Sequence, residues 1–306
     1  NCTFSPSLRR EVTTACGIKQ NFGFVHHQEG EARPNGMIQS IFPDLPYGPE
    51  HHLFRQDVDS YLVQAAIRCG ARVHQGTRVH DVEVDDQGAR ILTDRGDFDA
   101  SYVVDATGYR SILADRFGLR EEPTRLKTHS RSLFTHMIDV KHLERCSGMD
   151  RSPSPWSQGT LHHLFDGGWM WVIPFDNHAG SSNHLCSVGL SLDPRRFPRN
   201  DAGPEEEFQD FLRRHPSLAE QFERARPVRD WISTDRLQYS SARVFGERFC
   251  LFGHAAGFVD ALFSRGLVVT ANLVNVLADR LIQAARDKDW SSSRFEPVER
   301  FTQSLI

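Results

Sequence analysis

Two short apolar runs, each followed at once by a glycine turn, limit what this 306-residue chain can fold into. The first is YVVDATG at 102–108, and the second is RFCLFGHAAG at 248–257. The second turn leads into a long apolar segment at 267–287, which predicts a helix. A strand, a glycine turn and a helix in this order indicate an α/β unit built around a sheet.

The chain between these turns has a different pattern. Strand-like runs separated by turns, among them SLFTHMIDV, TLHHLF, WMWVIPF and HLCSVGLSL, predict antiparallel sheet, and an acidic, amphipathic helix is expected at 204–225. Before the first turn, 58–70 predicts a helix, while 71–86 and 89–96 predict strands. We therefore expect an α/β (α+β) fold with a discontinuous nucleotide-binding domain at 1–124 and 241–306, interrupted by an antiparallel substrate-binding region at 125–240.

Composition excludes several classes of function. A net charge of −4 and a pI near 6.4 give no electrostatic case for nucleic acid or an anionic membrane. No apolar run reaches the roughly 18–20 residues that span a bilayer, and NCTFSPSLRR is not a signal peptide. The cysteines are isolated, which favours reduced thiols in a cytoplasm. The sequence contains no H-x-x-x-H spacing, so its pattern does not indicate a metal site.

The run GWMWVIPF at 168–175 holds two of the chain's five tryptophans. Because strand residues alternate between faces, Trp169 and Trp171 are expected to point the same way, with Ile173 behind them and Pro174 ending the strand. The run alone allows two interpretations, a core strand under a sheet or a wall beside a reactive cofactor.

Three segments together resemble the aromatic hydroxylase flavoprotein superfamily: LFRQDVDSYLVQAA at 53–66, VVDATGYRS at 103–111 and FCLFGHAAGFVDALFSRGLV at 249–268. Each has an ordinary explanation alone, since R-x-x-x-D at a helix start is commonly a surface ion pair. The resemblance implies an FAD-binding Rossmann-like domain with these contacts: Arg55, Thr107, Gly108, Gly253, His254, Ala255 and Asp260. Glycine turns allow backbone N–H groups to approach phosphate closely.

Two departures from the superfamily pattern stand out. His254 occupies the position of the aspartate in its G-D-A-A motif. No G-x-G-x-x-G, the motif that cradles the pyrophosphate, occurs in the chain. We expect that the sequence lacks an N-terminal unit carrying this motif and that its C-terminal end is also clipped, or that the cofactor site is incomplete.

Within the superfamily, the chain resembles the flavin-dependent, tryptophan-halogenase-like halogenases. GWMWVIP contains their W-x-W-x-I-P motif in full, and GIKQNFGFVHH at 17–27 resembles the segment that bears their active-site lysine, here Lys19. AAGFVDALFSRG at 255–266 resembles their G-F-x-D-P-x-F-S-S-G run, with Ala261 and Arg265 as departures. The resemblance implies halide binding by main-chain amides of Ser264, Arg265 and Gly266.

The resemblance also implies a reaction. FADH2 and O2 form a flavin peroxide, a halide (chloride or bromide) attacks it, and the hypohalous acid reaches an electron-rich ring by way of Lys19. A desolvated lysine can hydrogen-bond this acid or become a haloamine. Trp169 and Trp171 would keep the substrate away from the peroxide. A separate flavin reductase would supply FADH2, and antibiotic biosynthesis is the typical setting.

One position bears on the substrate. Halogenases of free tryptophan carry a glutamate before the serine of the halide turn, whereas this chain has Phe263. We therefore favour a phenolic or pyrrolic substrate, free or tethered to a carrier protein. The alternatives are a flavin monooxygenase or reductase on the same scaffold, or a non-catalytic flavoprotein remnant, and Lys19 could instead be an exposed lysine at a strand start.

Overall fold

The computed structural model describes residues 10–43, 48–149, 152–199 and 201–306. Its strands, numbered in chain order, are β1 Gly17–Lys19, β2 Asn21–His26, β3 Gly36–Ile41, β4 Glu50–His52, β5 Val79–Val84, β6 Ala89–Thr93, β7 Phe98–Ala100, β8 Val103–Asp105, β9 Arg131–Ile138, β10 Gly159–Phe165, β11 Gly168–Pro174, β12 Cys186–Leu192, β13 Arg226–Pro227, β14 Ile232–Ser233, β15 Phe245–Gly246 and β16 Phe249–Leu251. Its α-helices are α1 Arg55–Arg68, α2 Ile112–Arg116, α3 Pro204–Arg214, α4 Ala219–Phe222, α5 Gly266–Asp287 and α6 Glu296–Gln303.

Two predicted elements are shorter in the structure than in the sequence pattern. The helix expected at 204–225 ends at Arg214, because Pro216 has no N–H to continue it and restricts the backbone of His215. The strand pattern at 71–86 becomes a strand only over Val79–Val84, where it pairs with β6. Alternation in sequence therefore overstated the length of the strand.

The chain divides into two compact units, and their boundaries differ from the predicted domains. One unit comprises Val73–His129 and Leu237–Ile306, and the other comprises the described residues of Thr3–Arg72 and Ser130–Arg236. The segment up to Arg72, which the sequence had assigned to the nucleotide-binding part, is therefore grouped with the large sheet. The reason is pairing, since β2 joins β10 in parallel register, with Phe22 opposite Thr160.

The large sheet has the strand order β13-β9-β12-β11-β10-β2-β3, with β14 also paired to β9. Its neighbours are antiparallel except for β2 and β10. One face is apolar and forms the core of this unit with α3, including Met170 and Val172 from β11 and Phe208 and Phe211 from α3. The antiparallel region predicted from sequence is thus present, with one parallel pair added.

The other unit contains the two glycine turns. Strands β8 and β16 are adjacent and parallel, with Asp105 opposite Leu251, so the turns that follow them begin at the same edge of the sheet. Strand β15 completes this sheet, and β5, β6 and β7 form a second one. The chain returns to this unit after the large sheet, because Val73–His129 and Leu237–Ile306 belong to the same compact unit.

Helix α5 is long and has a mean hydropathy of 1.3 over its most apolar window, so by length and composition it could cross a membrane. This differs from the sequence-based expectation that no segment is apolar enough to span a bilayer. The mostly buried core helix of a water-soluble protein meets the same criterion. In α5, Leu273, Leu277 and Ala284 are buried in a core cluster with Phe295, whereas most of the helix is not buried. A single helix of this kind is weak evidence for a membrane.

Candidate active site

Strand β1 carries Lys19 and is fixed to the end of β11. The Asn177 side chain accepts a hydrogen bond from the Ile18 N–H at 2.7 Å and donates one to the Ile18 carbonyl at 2.8 Å. A Cβ at Gly17 would lie 2.5 Å from the Pro174 carbonyl oxygen, so only glycine allows this approach. The lysine segment and the W-x-W-x-I-P strand are therefore in direct contact.

Lys19 is a buried lysine. The residue is only 7% exposed, and its Nζ lies 4.2 Å from the centroid of the Phe22 ring. Burial lowers the pKa of Lys19, and the negative charge of Glu50 acts in the opposite direction. The alternative of an exposed lysine at a strand start is therefore wrong.

The face of the large sheet opposite the core carries a row of rings that we call the aromatic face: Phe22, Phe24, His162, Trp169, Trp171 and Phe134. Successive ring centroids along this row are 6.3, 4.8, 5.5, 5.7 and 5.9 Å apart. Trp169 and Trp171 share this face as predicted, and both are partly exposed. The core-strand interpretation applies to Met170 and Val172 and not to the tryptophans.

The Trp171 ring is held by β12. Its indole N–H donates to Ser187 Oγ at 3.1 Å, and the ring lies across Gly189. A Cβ at Gly189 would be 2.2 Å from Trp171 Cζ2 and 2.5 Å from Phe134 Cβ. Sequence reasoning missed Ser187 and Gly189, because only the cross-strand register places Gly189 opposite Trp171.

The D-A-T-G turn is organised by Asp105. Its carboxylate accepts hydrogen bonds from the Thr107 N–H at 2.9 Å, the Thr107 hydroxyl at 2.5 Å and the Ser111 hydroxyl at 2.7 Å. This network leaves Thr107 exposed and Gly108 in the left-handed region at φ 81° with open space around it. The buried carboxylate therefore shapes the turn, and its exposed backbone is available to a ligand.

Arg120 links this turn to the one after β16. Its guanidinium donates to the Tyr109 carbonyl at 2.7 Å and to the Ala255 carbonyl at 2.8 Å. It also lies 4.8 Å from the Tyr239 ring, whose hydroxyl donates to the His254 carbonyl at 2.5 Å. Arg120 could not be identified from the sequence, because its connection of the two turns depends on which strands become neighbours.

The remaining predicted residues of this unit occupy different environments. Gly253 has φ 56° and His254 is exposed, whereas Ala255 is fully buried and its N–H donates to the Phe252 carbonyl. The Asp260 carboxylate accepts from the Leu262 N–H at 2.7 Å. Gly253 and His254 are thus accessible, whereas Ala255 and Asp260 form contacts within the protein.

The predicted halide turn immediately precedes a 22-residue helix. Ser264 has φ 52°, Arg265 is the residue before α5, and Gly266 is its first residue. The N-terminus of a helix favours anions through its backbone amides and its dipole. Phe263 is 59% exposed beside this turn.

Arg55 belongs to the unit of the large sheet and begins α1. It forms two hydrogen bonds with Asp59, at 2.7 and 2.9 Å, and its side chain is exposed. This is the surface ion pair that R-x-x-x-D at a helix start commonly makes. Its contact with FAD stays a prediction.

The turns after β8 and β16 fit a flavin nucleotide. Both follow the carboxyl ends of adjacent parallel strands, which is where nucleotides bind in open α/β sheets. The open space at Gly108 and the left-handed backbone at Gly253 leave room for a close backbone approach to ribityl or phosphate groups. Thr107 and His254 are exposed at these turns and could contact such a group.

We expect Gly189→Ala to displace the Trp171 ring, because the added methyl would overlap it. Overpacking of this kind lowers the free energy of unfolding by about 1–3 kcal/mol. Chemical denaturation measures this loss, and near-ultraviolet circular dichroism reports the ring displacement. Gly180→Ala is the matched control, since its Cβ would meet its nearest atom at an ordinary 3.5 Å. Equal behaviour of the two variants would refute the close contact.

We expect Arg120→Ala to weaken FAD binding about tenfold, since it removes charge-assisted hydrogen bonds that join the two turns. Quenching of FAD fluorescence on titration with the protein measures the dissociation constant. Arg116→Ala is the control, because Arg116 forms an exposed ion pair with Asp81 at 2.9 Å in the same unit. Equal FAD affinity in Arg120→Ala and the unmodified protein would contradict the linking role.

Comparison with known proteins places these features in a family. The family profile described as "Tryptophan halogenase" matches residues 23–304. The chain is 51% identical to monodechloroaminopyrrolnitrin halogenase PrnC of Pseudomonas fluorescens, over 98% of this chain and 53% of that protein. It is 49% identical to the tetracycline 7-halogenase of Kitasatospora aureofaciens, over 96% of this chain and 54% of that protein.

A solved structure agrees with these sequence matches. The halogenase PltM in complex with phloroglucinol and FAD superposes with a TM-score of 0.89 at 36% identity, over 96% of this chain and 59% of that one. The chain therefore spans about half the length of the curated relatives it matches. With its motifs, its fold and these matches in agreement, the chain belongs to the tryptophan halogenase family of flavin-dependent halogenases.

Proposed function

We propose that this chain is part of an FADH2-dependent halogenase that places chloride or bromide on a phenolic or pyrrolic ring. The observation that carries the proposal is the burial of Lys19 at the end of the aromatic face, with its Nζ 4.2 Å from the Phe22 ring centroid. A buried amine beside a row of rings suits the delivery of an oxidant to a flat, apolar substrate. Family membership supports the same reaction class.

The cofactor would be held by the turns after β8 and β16, through Thr107, Gly108, Gly253 and His254. When bound in its reduced form, it supplies with O2 the oxidising equivalent that converts halide to hypohalous acid. The amides of Ser264, Arg265 and Gly266 bind the halide, because the N-terminus of α5 favours an anion there.

Lys19 binds the hypohalous acid. Its low exposure keeps water away, so the oxidant is not lost by diffusion. The ammonium donates a hydrogen bond to the oxygen of the acid, which makes the halogen more electrophilic and prepares the oxygen to leave as water. The amine form offers a second route through a haloamine, since burial lowers the pKa of Lys19.

The rings of the aromatic face support an aromatic substrate. The exposed faces of Trp169 and Trp171 offer stacking surface to an aromatic substrate, and Ile173 and Pro174 continue the strand. The relatives named for monodechloroaminopyrrolnitrin and tetracycline, and the structure with phloroglucinol, support an electron-rich aromatic acceptor. Such rings stabilise their own cationic intermediate, which agrees with Phe263 at the position of a glutamate.

A separate flavin reductase would supply FADH2, and the acceptor could be free or tethered to a carrier protein. The five described cysteines are all free, which supports a reducing, cytoplasmic compartment. Antibiotic biosynthesis is the setting in which the named relatives place this chemistry.

We expect Lys19→Met to lower the rate of halogenated product on the order of 100-fold, because it removes the proton donor while keeping an apolar stem. The assay supplies chemically reduced FAD, O2, bromide and phloroglucinol, and mass spectrometry measures the brominated product. FAD affinity should be unchanged in this variant. Undiminished bromination would refute the role of Lys19, and oxygenated product without bromine from the unmodified protein would favour a monooxygenase.

We expect Trp171→Ala to open the aromatic face and let oxygenation or peroxide release compete with halogenation. The ratio of brominated product to released hydrogen peroxide should fall several-fold, whereas unfolding stability should change less than for a core residue. Val172→Ala, on the core face of the same strand, is the matched control. An unchanged ratio in Trp171→Ala would mean that the tryptophan serves packing only.

A further inference from the structure

Glu50 lies directly opposite Lys19. Strands β1 and β4 are antiparallel, and their register pairs Lys19 with Glu50. Residues that face each other in this way project to the same side, with Cβ atoms about 4.5–5.5 Å apart. Lys19 is buried and Glu50 is exposed, so a solvent-accessible carboxylate lies across the strand pair from a desolvated amine.

Both groups line one pocket. Gln20, Phe42, Pro43 and Pro49 form the rest of its described wall together with Gly48. Phe42 also lies 5.9 Å from Lys19 Nζ, measured to the ring centroid. The pocket therefore brings the Phe42 ring and two prolines together with Lys19 and Glu50 in one lining.

The charges around Lys19 single out Glu50. His52, which lies on β4 with Glu50, also interacts electrostatically with Lys19. Burial lowers the pKa of His52 to about 3, however, and keeps it neutral at pH 7. The Glu50 carboxylate raises the pKa of Lys19 and opposes the effect of burial. Glu50 thus favours the ammonium form of Lys19, which is the form that can donate a proton.

We propose that Glu50 is a catalytic residue that accepts the ring proton displaced during halogenation and returns it to Lys19. The inference rests on the proposed halogenase function. It assigns to the Lys19–Glu50 pair both proton transfers that substitution on an aromatic ring requires.

The step balances in atoms and charge. The ring carbon attacks the halogen of hypohalous acid, the carbon–halogen bond forms, the halogen–oxygen bond breaks, and the oxygen takes a proton from the Lys19 ammonium to leave as water. Glu50 then removes the proton from the halogenated carbon, and the electrons of that C–H bond restore the aromatic ring. Transfer of this proton from Glu50 to the neutral Lys19 returns the pair to its starting state.

The test compares Glu50→Gln with the unmodified protein and with Glu31→Gln, which changes an exposed carboxylate of the same unit. With reduced FAD, O2, bromide and phloroglucinol, the rate of bromination should fall on the order of 10- to 100-fold in Glu50→Gln. Ring-deuterated phloroglucinol should then react more slowly than the undeuterated compound in this variant. Glu31→Gln should behave as the unmodified protein does, and Glu50→Asp should recover part of the lost rate.

A second measurement is independent of flavin. Acetylation of Lys19 by acetic anhydride at pH 8, followed by peptide mass spectrometry, should be several-fold faster in Glu50→Gln, because loss of the carboxylate favours the neutral amine. Wild-type bromination in Glu50→Gln without an isotope effect would overturn the catalytic assignment. No brominated product from the unmodified protein would instead overturn the proposed function, and an unchanged acetylation rate would then overturn the Lys19–Glu50 coupling as well.

Discussion

The alternation of side chains along β11 is the constraint on which the proposed site depends. Met170 and Val172 are locked into the apolar core with α3, so Trp169 and Trp171 must point to the opposite face. A one-residue slip would exchange the two sets and destroy both the core and the aromatic face. Core packing therefore fixes the position of residues that make no core contact themselves.

Lys19 is placed by the same sheet through a second set of contacts. Asn177 binds both backbone groups of Ile18, and Gly17 allows β1 to approach the end of β11. Burial of an amine is unfavourable for its charged form, and Glu50 across the strand pair compensates in part. The structure thus keeps a buried amine beside the Phe22 ring on a strand, and the proposed transfer of an oxidant needs a group held in this way.

The local sequence pattern was sufficient to predict part of the fold and of the candidate site, but not all of either. The strand over Gly168–Pro174, the two glycine turns and the helix at Gly266–Asp287 were predictable because their periodicity and turn residues lie within a few positions of each other. The pairing of β2 with β10, the Arg120 bridge and the fit of Gly189 under Trp171 were not, because each depends on register between distant segments. The position of Glu50 opposite Lys19 was likewise not predictable, because it depends on the pairing of β4 with β1.

The most direct measurement is the location of acceptor and halide in crystals of the protein with FAD, bromide and phloroglucinol. Anomalous scattering at the bromine edge identifies bromide, and difference density identifies the acceptor. We expect bromide at the amides of Ser264–Gly266 and the phloroglucinol ring against the aromatic face, within contact of Lys19 Nζ. An acceptor bound away from Lys19 and from Trp169 and Trp171 would contradict the proposed site.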